Sequence, residues 1–373
     1  MPSLCLALDP PHEQKAEAAI ARAYAFLRSS QLPDGSWSPK PGPAITGLVT
    51  TAFLRDPNLT PADPTLAKSL AYISSFVKPD GGIYSSILKN YNTSLCLMAL
   101  SHAGNNPIYK PIIENAQQFL VKLQWVEGLT DPQGQTVTPS HPYFGGSGYN
   151  DSSSGRPDGS NTDLMLAALH DSGYDCNSPA FKRAIVFVSR LQGAATNDLL
   201  ADQIVPDGGF IYATSTDAQH PKLPQTRTND QLTETAKSTG EYDGPLPTYG
   251  SMTYGGYMSF LYAQLSRTDP RVIAARAWIA NNYTVESNPN MGEKSYFYYM
   301  HFLARAFAAT GEKSVATSDG QLHDWANELI DALLARQQPD GSWSNKTDKW
   351  MEGDPNLATA YALNALQLAL GRN

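Results

Sequence analysis

The 373-residue chain predicts an all-α fold, an (α/α)6 toroid in which six outer helices surround six inner ones. Three observations lead there. The words Gln31-Leu32-Pro33-Asp34-Gly35-Ser36-Trp37 return near the other end as Gln338-Pro339-Asp340-Gly341-Ser342-Trp343, so a supersecondary unit is copied along the chain. Six such copies can be aligned, each an amphipathic helical stretch, a glycine turn and a second stretch almost free of charge. The first and last copies match best, so the two ends can pack as neighbours and close a ring.

The first copy pairs Glu13–Ser30 with Ile45–Leu54 through Asp34-Gly35. The second pairs Pro64–Val77 with Asn92–His102 through Asp80-Gly81-Gly82. The third runs from Pro111–Gln124 through a long insert to Gly145-Gly146, then Asn161–His170. The fourth runs from Pro179–Gln192 past Asp207-Gly208-Gly209 and a further loop to Tyr254–Leu265. The fifth pairs Pro270–Tyr283 with Ser295–Ala308, and the sixth Gln321–Gln338 with Asn356–Leu370. Asp63-Pro64, Ser178-Pro179 and Asp269-Pro270 read as an N-cap followed by proline at the first helical position, where its missing N–H costs nothing. First stretches such as Ala19, Ala23, Phe26 and Leu27 bury one stripe and wet the other face. Second stretches such as Thr93–Leu100 are apolar all round, hence buried all round. One toroid over 1–373 is expected, with inserts at Trp125–Tyr143 and Ala194–Gly250 as lids, binding loops or surface excursions.

Composition removes several function classes. A net charge of −8 and the absence of a long basic run argue against a nucleic-acid partner. Cys5, Cys96 and Cys176 are odd in number and far apart, which supports neither a disulfide framework nor a paired-cysteine metal site. No apolar run approaches the roughly 20 residues of a membrane span. The short apolar patch Leu4–Leu8 reads as the trimmed end of an export signal or a loose terminus.

Phe26-Leu27, then Gln31, Gly35 and Trp37, resembles the QW motif of squalene–hopene cyclases, and Leu333-Leu334, Gln338, Gly341 and Trp343 repeat it. Phe119-Leu120 with Gln124, and Phe187-Val188 with Gln192, keep the first half. The resemblance spans nearly the whole chain and implies the α/α toroid shared by class II terpene cyclases and protein prenyltransferase β subunits. It also implies a structural role for these residues, the Gln capping an inner helix and the Trp stacking beneath it. In class II cyclases an Asp-x-Asp-Asp-Thr motif at the head of an inner helix supplies the proton donor. Here Asp158 and Thr162 match that motif, but Ser160 stands at the donor position and Asn161 replaces the next Asp. A serine hydroxyl is too weak an acid to protonate an alkene. The zinc of the prenyltransferases has no matching Asp, Cys and His set, and the Gly-Cys-Gly-Glu-Gln run of thioester toroids is absent. No metal and no cofactor is expected.

Three readings stay open. In the first, the ring holds an apolar, isoprenoid-like small molecule and acts as a divergent class II cyclase. Asp163, Asp354 and His301 are then the catalytic candidates, and Asp158, Tyr254, Tyr298, Tyr299 and Glu293 the ligand-binding ones. Aromatic faces suit this chemistry because they stabilise positive charge. In the second, the ring is a non-catalytic binding or scaffold module. In the third, it is a carbohydrate lyase or hydrolase with two carboxylates across a cleft. A deep apolar cavity favours the first reading and an open polar groove the third. Peripheral membrane contact, localisation and oligomeric state stay open. Glu352 and Asp354 read equally as charges favoured at a helix N-terminus.

Overall fold

The computed structural model describes residues 8–104, 106–151, 155–216, 226 and 244–372. Among these residues are twelve α-helices. The outer ones are α1 (Pro10–Ser30), α3 (Pro64–Ser74), α5 (Lys110–Lys122), α7 (Pro179–Ser189), α9 (Pro270–Asn282) and α11 (Trp325–Leu334). The inner ones are α2 (Ala44–Leu54), α4 (Lys89–His102), α6 (Gly159–Asp171), α8 (Gly250–Tyr262), α10 (Tyr296–Thr310) and α12 (Pro355–Ala369). Each inner helix packs on the next, and α12 packs on α2, so the all-α ring closes as the repeat requires. Cys5, most of the Leu4–Leu8 patch, and residues 217–225 and 227–243 of the second insert lie outside the described residues.

The copies are joined by a recurring set of hydrogen bonds. In five of them a threonine in the first turns of the inner helix accepts the backbone N–H of the preceding glycine-turn segment. The pairs are Trp37 to Thr46 (3.1 Å), Ile83 to Thr93 (3.0 Å), Ser147 to Thr162 (3.0 Å), Phe210 to Thr253 (3.1 Å) and Trp343 to Thr359 (2.9 Å). Thr162, which matches the cyclase motif by sequence, is therefore one of five equivalent structural threonines. The indoles of Trp37 and Trp343 donate to Leu27 O (2.7 Å) and Leu333 O (2.8 Å), satisfying carbonyls at the ends of α1 and α11.

The glutamines do something other than cap an inner helix. The amide of Gln31 donates to Gly35 O (3.1 Å) and to Thr65 O (3.0 Å) of α3. Gln124 bonds Gly145 O and Ala180 O of α7, and Gln192 bonds Gly208 O and Arg271 O of α9. Each stitches its own turn to the next outer helix. In the last copy this is Gln337, bonded to Gly341 O (2.9 Å) and Ala19 O (3.0 Å) of α1. Gln338, one residue on, turns instead to Ser344 (2.6 Å), so the sequence alignment of this copy is off by one. Gln337→Ala should cost about 1–3 kcal/mol by removing both hydrogen bonds and with them the link between this turn and α1. Gln338→Ala should cost clearly less in the same urea titration. The turn glycines pack tightly on the next outer helix. Gly145 has φ +88, and a Cβ there would lie 1.9 Å from Arg183 O, so neither conformation nor space admits another residue.

Several boundaries differ from expectation by three or four residues, and two of the helix starts do so by four. The sixth outer helix starts at Trp325, because Gln321 and Leu322 belong to a small hairpin, β1 (Val315–Ala316) with β2 (Leu322–His323), and Asp324 caps the helix. The fourth inner helix starts at Gly250, four residues before Tyr254. The first insert folds over its own small core of Trp125, Val137, Tyr143 and Phe144. Arg190 fastens it by donating to His141 O (2.9 Å) and Pro139 O (2.8 Å). The described part of the second insert lies against it through Thr214 to Pro142 O (2.9 Å) and Thr216 to Gln133 (2.7 Å). Among the described residues no helix is long and apolar enough to cross a membrane.

Candidate functional site

The N-terminal heads of the inner helices surround a chamber of about 330 Å3, within the range of small-molecule sites. Each inner helix contributes to the wall: Ile45 from α2, Tyr91 from α4, Ser160 from α6, Ser251 and Met252 from α8, Tyr298 from α10, Leu357 and Tyr361 from α12. The connecting segments add Tyr149, Tyr212, Tyr249, Trp350 and Met351. Apolar and aromatic side chains dominate, and the sole charged side chain among the described lining residues is Glu352.

Two hydrogen-bonded pairs cross the ring and form the floor. Tyr298 of α10 reaches Ser160 of α6 (2.9 Å between hydroxyls), and Tyr91 of α4 reaches Tyr361 of α12 (3.2 Å). The Tyr298 and Tyr361 rings meet edge to face, centroids 5.6 Å apart. Residues one turn deeper on the same helices, Asp163 and His301, do not line the chamber.

Glu352 is 1% exposed, and its carboxylate is held from two sides. The Tyr298 backbone N–H, in the first turn of α10, donates to Oε1 (2.8 Å), and the Asn345 amide donates to Oε2 (2.8 Å). Burial pushes its pKa up to about 7, against the lowering effect of these donors. Burial thus favours the protonated carboxyl far more than at an exposed glutamate. Trp350 and Met351, just before it, both take left-handed backbone (φ +54 and +66), rare for bulky residues. Asn345 N–H to Glu352 O (2.8 Å) and Gly353 N–H to Asp348 (3.0 Å) hold this loop in place. It presents Trp350 and Met351, 40% and 41% exposed, at the chamber mouth.

The residues singled out by sequence divide. Tyr298 lines the chamber. Asp158 is the N-cap of α6, accepting from Asn161 N–H (2.8 Å), with burial raising its pKa to about 6. Asp354 is the N-cap of α12, accepting from Asn356 N–H (2.9 Å) and Leu357 N–H (3.2 Å), and does not line the chamber. Asp163 lies under the floor, 3.7 Å from Arg305 and 3.2 Å from Ser259, its pKa raised by burial to about 7. His301 is buried beside Tyr361, and burial together with the charges of Arg305 and Arg55 keeps it neutral. Tyr254 packs edge-on against Tyr299 and Phe307 between α8 and α10. The Tyr299 hydroxyl donates to Thr284 O (2.6 Å). Glu293 is exposed and pairs with Arg336 (3.4 Å).

Tyr91, Ser251, Leu357 and Tyr361 are not among the residues expected from sequence, and Glu352 is expected there only as a charge at a helix N-terminus. A signal for three of these existed. Tyr91, Ser160, Ser251 and Leu357 each stand two residues before the repeat threonine of their copy, so that register marks the chamber wall. Among the described residues no cluster of three His, Cys, Asp or Glu is arranged to hold a metal.

No protein-family model and no curated protein sequence matches the chain. Solved structures do. The type II terpene cyclase MstE from Scytonema superposes with a TM-score of 0.54 at 14% identity, covering 97% of this chain and 99% of that one. An alpha-amylase from Clostridium perfringens superposes with a TM-score of 0.54 at 12% identity, over 94% and 97% of the two chains. A D-mannose isomerase gives 0.55 at 11% identity, over 99% of each chain. At such identities the likeness is one of fold: the chain is an all-α (α/α) toroid of the shape used by a terpene cyclase and by carbohydrate enzymes alike.

Proposed function

We propose that this protein binds an isoprenoid-type molecule in the aromatic chamber at the inner-helix heads, and that Glu352 is the acid that protonates it. One observation carries this reading: an apolar, tyrosine-walled chamber with a single described carboxyl, buried enough to hold its proton near neutral pH. Apolar walls supply the burial energy for a hydrocarbon chain, about 25 cal/mol per Å2 of apolar surface covered. Protonating an alkene or epoxide requires a carboxyl kept neutral by desolvation, and Glu352 meets that requirement where Ser160 cannot. Tyr298, Tyr361 and Tyr91 line the same chamber, and aromatic rings stabilise a developing positive charge. A variant of MstE has been captured with geranylgeranyl dihydroxybenzoate as its substrate on the same fold, which makes a prenyl chain a natural first probe.

The glycosidase reading needs two carboxylates facing each other across a cleft. The described chamber wall offers one, so it supports the isoprenoid reading better. Incubation with polyprenyl substrates of increasing chain length, followed by mass spectrometry, tests the proposal. Cyclised or isomerised product from the wild type and none from Glu352→Gln is expected. Product formation undiminished in that variant would remove Glu352 from the mechanism.

A further inference from the structure

The opposite end of the ring holds a second chamber of a different kind. It measures about 270 Å3 and lies among the C-terminal ends of the inner helices. Its polar wall includes Arg55, His102, His170, Asp171, Tyr262 and Arg305, drawn from five helix ends. Helix C-termini carry partial negative charge, which explains why cations gather there. It leaves open where their N–H donors go. Arg55 has five donors and no carboxylate within 4 Å among the described residues. Its described partners are Asn364 Oδ1 (3.2 Å, from Nε) and Arg372 O (3.3 Å). Arg305 donates to the Tyr262 hydroxyl and stands 3.7 Å from Asp163. Asp171, the one carboxylate among the described wall residues, is paired with His170 (3.1 Å). Burial and the charge of Arg55 push His102 down to about 4, so at neutral pH its ring is an uncharged donor, and among the described residues neither ring nitrogen has a hydrogen-bond partner.

We infer that this second chamber is an oxyanion-binding site, taking a phosphate or carboxylate group on Arg55, with His102 as neutral donor and Arg305 adding its charge. A guanidinium and an imidazole with spare N–H groups in a partly desolvated cavity are well matched to such a group. The site is independent of the aromatic chamber, from which the tyrosine floor and the buried Asp163–Arg305 pair separate it.

The test is thermal unfolding of the whole chain in inorganic phosphate, in acetate, and in sodium chloride of equal ionic strength. Phosphate or acetate should raise Tm beyond the chloride control, and the stronger of the two identifies the source chemistry. Arg55→Gln keeps a donor for Asn364 but removes the charge, and should abolish the extra shift. His102→Phe leaves Arg55 in place and should weaken binding several-fold, read as a higher anion concentration at half-effect. If Arg55→Gln does not fold, His102→Phe together with anion-dependent line broadening in phosphorus NMR of the wild type carries the test. A shift no larger than that of chloride, or one of equal size in the variants, would overturn the inference and leave the chamber filled by water.

Discussion

Glu352→Gln is expected to cut turnover of a polyprenyl substrate by about 10²–10⁴-fold, the usual contribution of a general acid, while leaving binding of the same molecule within a few-fold. Gln keeps an acceptor for the Tyr298 N–H, so the head of α10 stays capped and the loss is one of proton supply. The acid form must be present, so the wild-type rate should fall as pH rises through about 7. Stability offers an independent check. Burial raises the Glu352 pKa above its ordinary value of 4.5, so the folded state holds this proton more tightly than the unfolded one. That contribution is complete below about 4.5 and is lost as pH rises through about 7. Gln has no proton to lose. The Tm of Glu352→Gln relative to wild type should therefore be least favourable in acid and climb to a plateau above pH 7. A difference independent of pH would mean that the carboxyl titrates alike in the folded and unfolded chain and that burial does not raise its pKa.

Arg305→Met should be the most damaging single change in the lumen, costing about 3–5 kcal/mol in urea unfolding. Its guanidinium is 6% exposed and is the cation beside Asp163, so its removal leaves that carboxyl either charged without a counter-ion or forced to take up a proton. Asp163→Asn should cost less, because Asp163 already titrates near neutrality and Asn can keep the Ser259 hydroxyl as a partner. Combining Arg305→Met with Asp163→Asn should recover part of the loss, since the pair is coupled through contact. Equal costs for the two single variants, with simple additivity, would show that the residues are held by packing and not by each other.

The ring was legible because its determinants are local and repeated. Proline after an acidic cap, an uncharged inner stretch and a glycine turn each act within a few residues, and six copies reinforce one another. The errors came where one copy breaks the pattern. The doubled Gln337-Gln338 hides which amide reaches α1, and only the geometry of the turn decides it. The hairpin before Trp325 is likewise peculiar to one copy.

The chamber was harder to read because it is made across the ring. Tyr298 meets Ser160 at a separation of 138 residues, and Tyr91 meets Tyr361 at 270. Depth was the second obstacle. Asp163 is three residues past Ser160, and on a helix that is one turn, enough to carry it from the chamber to the layer beneath the floor. Glu352 and Asp354 look interchangeable as an acidic helix head. The local turn sends Asp354 to cap α12, whereas Glu352 is turned back through Asn345 to the head of α10, and hence to the chamber.

The most direct test of the central claim is where a prenyl chain comes to rest. A photoreactive polyprenyl probe, irradiated with the intact protein and mapped by peptide mass spectrometry, would report it. Adducts on Trp350, Met351, Tyr298 or Tyr361, competed by unlabelled polyprenyl alcohol, are the predicted result. Adducts confined to the outer helices or to the Arg55 chamber, or none that competitor removes, would contradict an isoprenoid site at the inner-helix heads.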